Sequence, residues 1–254
     1  MDVDGYLARI GAARPSAPTA EALADLHERH VTTVPFENLS VHLREPIVLD
    51  EEKLVEKIVR RRRGGFCYEL NGAFAALLRE LGFAVSLLPA RVSRGGDGFG
   101  APFDHLTLRV DLDEPWLADV GFGRFARRPL RLAACEPQAD AEGEFMLLDA
   151  AGGDIDVRHN GEPAYRLEQR ARELEDFVPS CWWQATSPDS HFTQGLLCTL
   201  PTSSGRVTLT GDQLIETVDG KRVERELSPD EVLEAYRTYF GISLETAPVA
   251  GAFG

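Results

Sequence analysis

The chain has 254 residues, 43% of them hydrophobic and 27% charged, enough to bury a substantial core as one large domain or two to three smaller ones. Its net charge of −14 argues against a nucleic-acid partner, because neutralising phosphates needs a basic face. No apolar run approaches roughly 18 residues, and the first residues lack a basic segment followed by an apolar core, which speaks against a membrane span and a standard secretion signal.

To about residue 85 the pattern is helical. His27 and His30 form an HxxH on a predicted helix. With no third ligand at matching spacing they read as surface helix residues, and no metal site is predicted. Asp50 is a predicted N-cap for a helix through Arg62, which Gly64 and Gly65 end. A second helix begins near Cys67 and runs through Leu81, with Leu70, Phe74, Leu77, Leu78 and Leu81 on one stripe and Gly82 as its stop. A helical bundle is therefore expected first.

From about residue 85 to 182 short alternating segments are divided by turn residues, notably Gly95-Gly96-Asp97-Gly98 and Gly152-Gly153-Asp154. This stretch is predicted mostly β. Residues 104–110 read as a half-buried strand with His105 at its beginning, residues 111–115 as a turn, and residues 116–123 as the returning strand that carries Asp119. Strands at 206–210 and 213–218 follow. Ser228-Pro229-Asp230-Glu231 then opens a last helix that Gly241 closes. The fold class is α+β.

Three of these residues together make a chemistry. Cys67 falls at the start of a helix, where unpaired backbone N–H groups and the positive end of the dipole favour a thiolate. A thiol nucleophile needs a base, and the base needs an orienting group. His105 supplies the first and Asp119 the second if the hairpin pairs them closely, giving Cys67, His105 and Asp119 as the expected catalytic residues. Four cysteines at 67, 135, 181 and 198 show no CxxC spacing, so a reducing, cytoplasmic setting is expected.

In Arg63-Gly64-Gly65-Phe66-Cys67-Tyr68-Glu69, the His105 strand, Asp119-Val120-Gly121-Phe122-Gly123 and Val34-Pro35-Phe36-Glu37-Asn38-Leu39, the sequence resembles bacterial members of the arylamine N-acetyltransferase family. The resemblance implies a helical bundle at 1–85, a β-barrel at 86–185 and an α/β lid at 186–254, with the triad between the first two in a cysteine-protease-like arrangement. It implies acetyl-CoA as acyl-donor substrate, no permanently bound cofactor, and a small-molecule amine as the other partner. It also implies that Phe36, Phe122 and Phe192 line the acceptor pocket, as aromatic walls suit a flat arylamine. Whether the protein is a monomer or a homodimer is left open. The residue before the histidine is often Thr in the family and is Asp104 here.

Other readings share the triad. Amide synthases that close ansamycin-type macrolactams also resemble this family and would take a carrier-tethered acyl chain. Cysteine hydrolases share the Cys, His, Asp order, and a binding protein would carry an unreactive Cys67. Glu37 and Arg63 are expected to form a buried ion pair. The run Arg124, Arg127, Arg128 and Arg131 is either a steering patch for coenzyme A phosphates or a solvated surface.

Overall fold

The computed structural model describes residues 1–96 and 98–250; Asp97, in the predicted turn at 95–98, lies outside the described residues. Its first part holds α1 (Val3–Ile10), α2 (Ala20–Thr33), a two-residue β1 (Phe36–Glu37), α3 (Leu39–His42), α4 (Glu51–Val59) and α5 (Cys67–Glu80). Eight strands follow: β2 (Ala84–Val92), β3 (His105–Asp111), β4 (Pro115–Ala118), β5 (Leu130–Arg131), β6 (Gln138–Asp140), β7 (Gly143–Asp149), β8 (Ile155–His159) and β9 (Glu162–Leu167). The last part holds α6 (Val178–Thr186), α7 (His191–Gln194), β10 (Cys198–Thr202), β11 (Gly205–Thr210), β12 (Gln213–Val218), β13 (Lys221–Glu226) and α8 (Pro229–Phe240).

Local chemistry sets these boundaries. The Asp50 carboxylate accepts the Lys53 N–H at 3.1 Å and starts α4. The helix stops at Val59, short of the predicted Arg62, because Arg62 takes a left-handed φ of 51° that turns the chain towards Arg63. In α8 the Ser228 N–H donates to Glu231 Oε2 at 2.8 Å and Gly241 adopts φ 66°, the cap and stop read from the sequence. The helix α6 interrupts the stretch predicted as β, and the expected junction at 185–186 falls inside it. It ends at Thr186, and Ser187 after it is extended because the following proline disfavours helical backbone there.

The α+β class holds. Strands β5-β4-β3-β2-β9-β8-β7-β6 form one sheet. Its edge strands are drawn together by side chains: the Arg131 N–H donates to Gln138 Oε1 at 2.8 Å, and the Arg127 N–H to Asp140 Oδ1 at 3.0 Å. The sheet is thus a nearly closed barrel. A second sheet, β1-β10-β11-β12-β13, recruits its first strand from the helical region, pairing Phe36 with Thr199 and Glu37 with Cys198.

Helix α5 lies at the centre of the core. Every residue from Cys67 to Leu78 is buried, with α4 on one flank and the β2–β3 hairpin on the other. Such an all-round buried helix belongs to the interior of a larger protein.

Candidate active site

The turn before α5 is built for close approach. A Cβ at Gly64 would lie 1.8 Å from the Pro35 carbonyl oxygen, so glycine alone fits there. The Glu37 N–H donates to the Gly65 carbonyl at 2.9 Å, which docks the 34–39 segment against the turn. The Glu69 carboxylate turns back to the Phe66 N–H at 3.2 Å and holds the Lys57 ammonium at 2.5 Å. Cys67 therefore begins α5 in a fixed frame, 4% exposed, with first-turn N–H groups that have no helical acceptor.

His105 and Asp119 are brought to it by the hairpin. The β3–β4 register ends at Leu108 opposite Ala118, so Asp119 is the first residue past the ladder. Its Oδ2 lies 2.6 Å from His105 Nε2. The Cys67 side chain acts with Asp119 to favour charge on the imidazole, and with Nε2 taken by Asp119 the nitrogen left for the sulfur is Nδ1. The second carboxylate oxygen accepts from Asn71 Nδ2 and from the Gly121 N–H, each at 3.0 Å. Asn71 also donates to the Leu106 carbonyl at 2.7 Å and accepts the Val120 N–H at 3.0 Å, locking both strands to α5.

The electrostatics follow from this wiring. Burial opposes charge on His105, but the Asp119 carboxylate and the Cys67 contact outweigh it and raise the imidazole pKa to about 10. Burial likewise opposes charge on Asp119, and the facing imidazole and its hydrogen bonds hold the carboxyl below its usual range. The pair thus favours an imidazolium beside a carboxylate.

Cys67 and His105 open into a cavity of about 460 Å³ that Phe36, Phe122 and Phe192 also line, together with Trp183, Arg94, Asp104 and Asp189. Phe192 packs on Phe36 at 6.1 Å and edge-on against Phe66 at 5.1 Å; Phe122 sits edge-on to His105 at 5.1 Å. Asp104 accepts the Val92 N–H at 2.8 Å, and burial raises its pKa, so this carboxylate braces the cavity wall. A second hollow of about 540 Å³ lies on the far side of α6 between Ile47 and Trp182 and holds neither Cys67 nor His105.

A family model for N-acetyltransferases matches residues 19–249. The arylamine N-acetyltransferase of Escherichia coli is 36% identical over 251 residues, covering 95% of this chain and 89% of that protein. The chain belongs to the arylamine N-acetyltransferase family. Among solved structures, the arylamine N-acetyltransferase of Mycobacterium smegmatis superimposes with a TM-score of 0.88 at 35% identity, covering 96% of this chain and 93% of that one. The Mycobacterium marinum arylamine N-acetyltransferase, solved in complex with CoA, gives a TM-score of 0.86 at 32% identity, covering 95% and 93%. The protein is accordingly an acyltransferase of this family.

The structure adds residues that the sequence concealed. His27 and His30 are not surface residues: they are 1% and 0% exposed. His30 Nε2 pairs with the Tyr6 hydroxyl at 3.0 Å and its ring tilts against Phe74, while His27 bonds to backbone on both sides. They share one face of α2 with the buried Leu23 and Leu26, at the 3, 4 and 7 spacing of an inward stripe, and that spacing is the signal that could have found them. Asn71 was legible only as a polar interruption of the α5 stripe. Tyr165, buried from β9, packs on His105 at 5.2 Å, a contact across a sheet order that local pattern does not encode. Within the arginine run, Arg127 binds Glu142 at 2.9 Å and Arg131 binds Glu114 at 2.9 Å and Glu136 at 3.2 Å, so much of that charge is neutralised in place. The ion pair of Glu37 with Arg63 forms at 2.9 Å.

Proposed function

We propose that the protein transfers an acetyl group from acetyl-CoA to an arylamine or arylhydrazine by a ping-pong route through an acetyl-Cys67 intermediate. The observation that carries this reading is one imidazole bonded to a buried carboxylate and sharing the floor of an aromatic cavity with a thiol. Membership of the arylamine N-acetyltransferase family and a relative solved with CoA support the choice of donor and acceptor.

His105 holds the Cys67 proton as an imidazolium, which Asp119 stabilises, and the Cys67 sulfur attacks the acetyl carbonyl carbon. N–H groups in the first turn of α5 are positioned to stabilise the developing oxyanion. The carbon–sulfur bond to coenzyme A breaks, and His105 returns the proton to the departing thiolate. The amine nitrogen then attacks acetyl-Cys67, loses its proton to His105, and leaves as the amide while the proton passes back to sulfur. Phe36, Phe122 and Phe192 hold the aryl ring and keep water from competing. A cytoplasmic setting suits the four free cysteines.

The test is release of free coenzyme A with and without a panel of simple arylamines and hydrazines. Parallel lines in double-reciprocal plots and slow release without amine are expected. Equal release with and without amine would mean that water is the acceptor and the transfer reading is wrong.

A further inference from the structure

His27 is buried in α2, outside the triad, yet both of its ring nitrogens are committed to main chain. Beyond the last ladder pair, Leu108 with Ala118, the Asp119 N–H has no strand partner and donates to His27 Nε2 at 3.1 Å. On the other side of the ring, Nδ1–H donates to the Arg127 carbonyl at 2.8 Å. A carbonyl only accepts and an N–H only donates, so these two partners fix one neutral tautomer, protonated on Nδ1. The ring edge rests on Phe74 of α5 at 6.0 Å.

We infer that His27 is a positioning residue for the acetyl transfer: it ties both ends of the loop 119–127 to α2 and thereby sets Asp119 against His105. The loop between its two bonds carries Gly121 and Phe122, which line the cavity. Main-chain position matters because Asp119 has short reach, and its 2.6 Å bond to His105 leaves little slack. A charged His27 would aim a second N–H at the Asp119 N–H. Burial opposes that charge, and the titratable groups that act on the ring are Asp119 and Asp140 from neighbouring segments and His30 from α2 itself. The inference rests on the reading of Asp119 as the orienting carboxylate.

The experiment compares His27→Gln with His27→Asn, beside Asp119→Asn, by coenzyme A release and thermal midpoint at neutral pH. A glutamine amide oxygen reaches the place of Nε2 and can accept the Asp119 N–H. An asparagine amide instead takes the place of Nδ1 and keeps only the Arg127 contact. His27→Asn is expected to lose about tenfold more kcat than His27→Gln, with KM for acetyl-CoA unchanged in both and similar thermal midpoints. Equal activity of the two variants, or losses that simply track thermal midpoint, would overturn the inference. Full activity in Asp119→Asn would instead overturn the triad reading beneath it. Should His27→Asn fail to fold, imidazole nitrogen NMR of the wild-type protein decides. A neutral Nδ1–H tautomer of His27 across the active pH range is expected, and an Nε2–H tautomer or an imidazolium contradicts it.

Discussion

Gly121 lies against the backbone of Cys67: a Cβ on Gly121 would sit 2.8 Å from Cys67 Cα and 2.7 Å from Asn71 Nδ2. Both are groups that cannot easily move. The loop after Asp119 is therefore in contact with the turn that carries the thiol, and the spacing of the two is set by the missing side chain. The sequence motif around Asp119 places a glycine there for this reason.

Gly121→Ala should consequently damage the site more than the fold. The added methyl must push the 119–123 loop away from α5, lengthening the Asp119–His105 contact. A fall in kcat of at least about tenfold is expected, with a thermal midpoint lowered by only a few degrees. The measurement is steady-state kinetics beside a melting curve, and unchanged kcat would contradict the close packing.

Asp119→Asn keeps the shape of the site but cannot hold an imidazolium. Loss of roughly 10³–10⁴-fold in kcat is expected by the logic of a misoriented, unsupported base. Rapid-quench measurement of the acetylation half-reaction checks it, since the loss should appear there as well as in turnover.

The raised pKa of His105 carries a stability consequence. Its ordinary value is 6.5 and the folded value is about 10, so the folded state binds the proton more tightly than the unfolded state. That stabilisation is present in full below 6.5 and is lost as pH rises through about 10. The thermal midpoint should therefore decline across that window, and Asp119→Asn should flatten the decline. A midpoint in the wild-type protein that rises from neutral pH to 10 would contradict the sign.

Arg63→Ala leaves the Glu37 carboxylate, 0% exposed, without its principal partner, although Lys57 charge and the Leu39 N–H still face it. Breaking a buried pair on one side costs about 3–5 kcal/mol. Urea unfolding should show a loss in that range. Replacing both partners by apolar residues of similar volume should recover part of it, because no charge is then stranded.

Phe122 is half-buried and faces the cavity. Phe122→Ala removes part of the aryl wall, so KM for an arylamine should rise about tenfold. The acetylation half-reaction with acetyl-CoA should change less, and a ping-pong scheme lets the two be measured separately.

Much of this molecule could be read along the chain because its signals are local. The glycine pair before Cys67, the apolar stripe of α5, the alternation of β3 and the capping residues of α8 each act within a few positions. The parts that escaped depend on pairings between distant segments. Nothing in Phe36-Glu37 announces that it will pair with Thr199-Cys198 as the edge of the last sheet. Nor does α6 show an inward stripe: Trp182 on its surface is 66% exposed, so its hydrophobic residues gave no helical period. His27 does lie on a legible stripe with Leu23 and Leu26, but its partners are main-chain groups nearly a hundred residues away, which no local pattern encodes.

The central claim is that Cys67 carries the acetyl group. It is tested most directly by the intact mass of the protein after mixing with acetyl-CoA alone, followed by peptide mapping. One acetyl adduct per chain is expected, located on Cys67, absent from Cys67→Ser, present in Cys135→Ala, and discharged on adding an arylamine. A protein that turns over arylamines yet shows no such adduct, or carries it on another residue, would contradict the account.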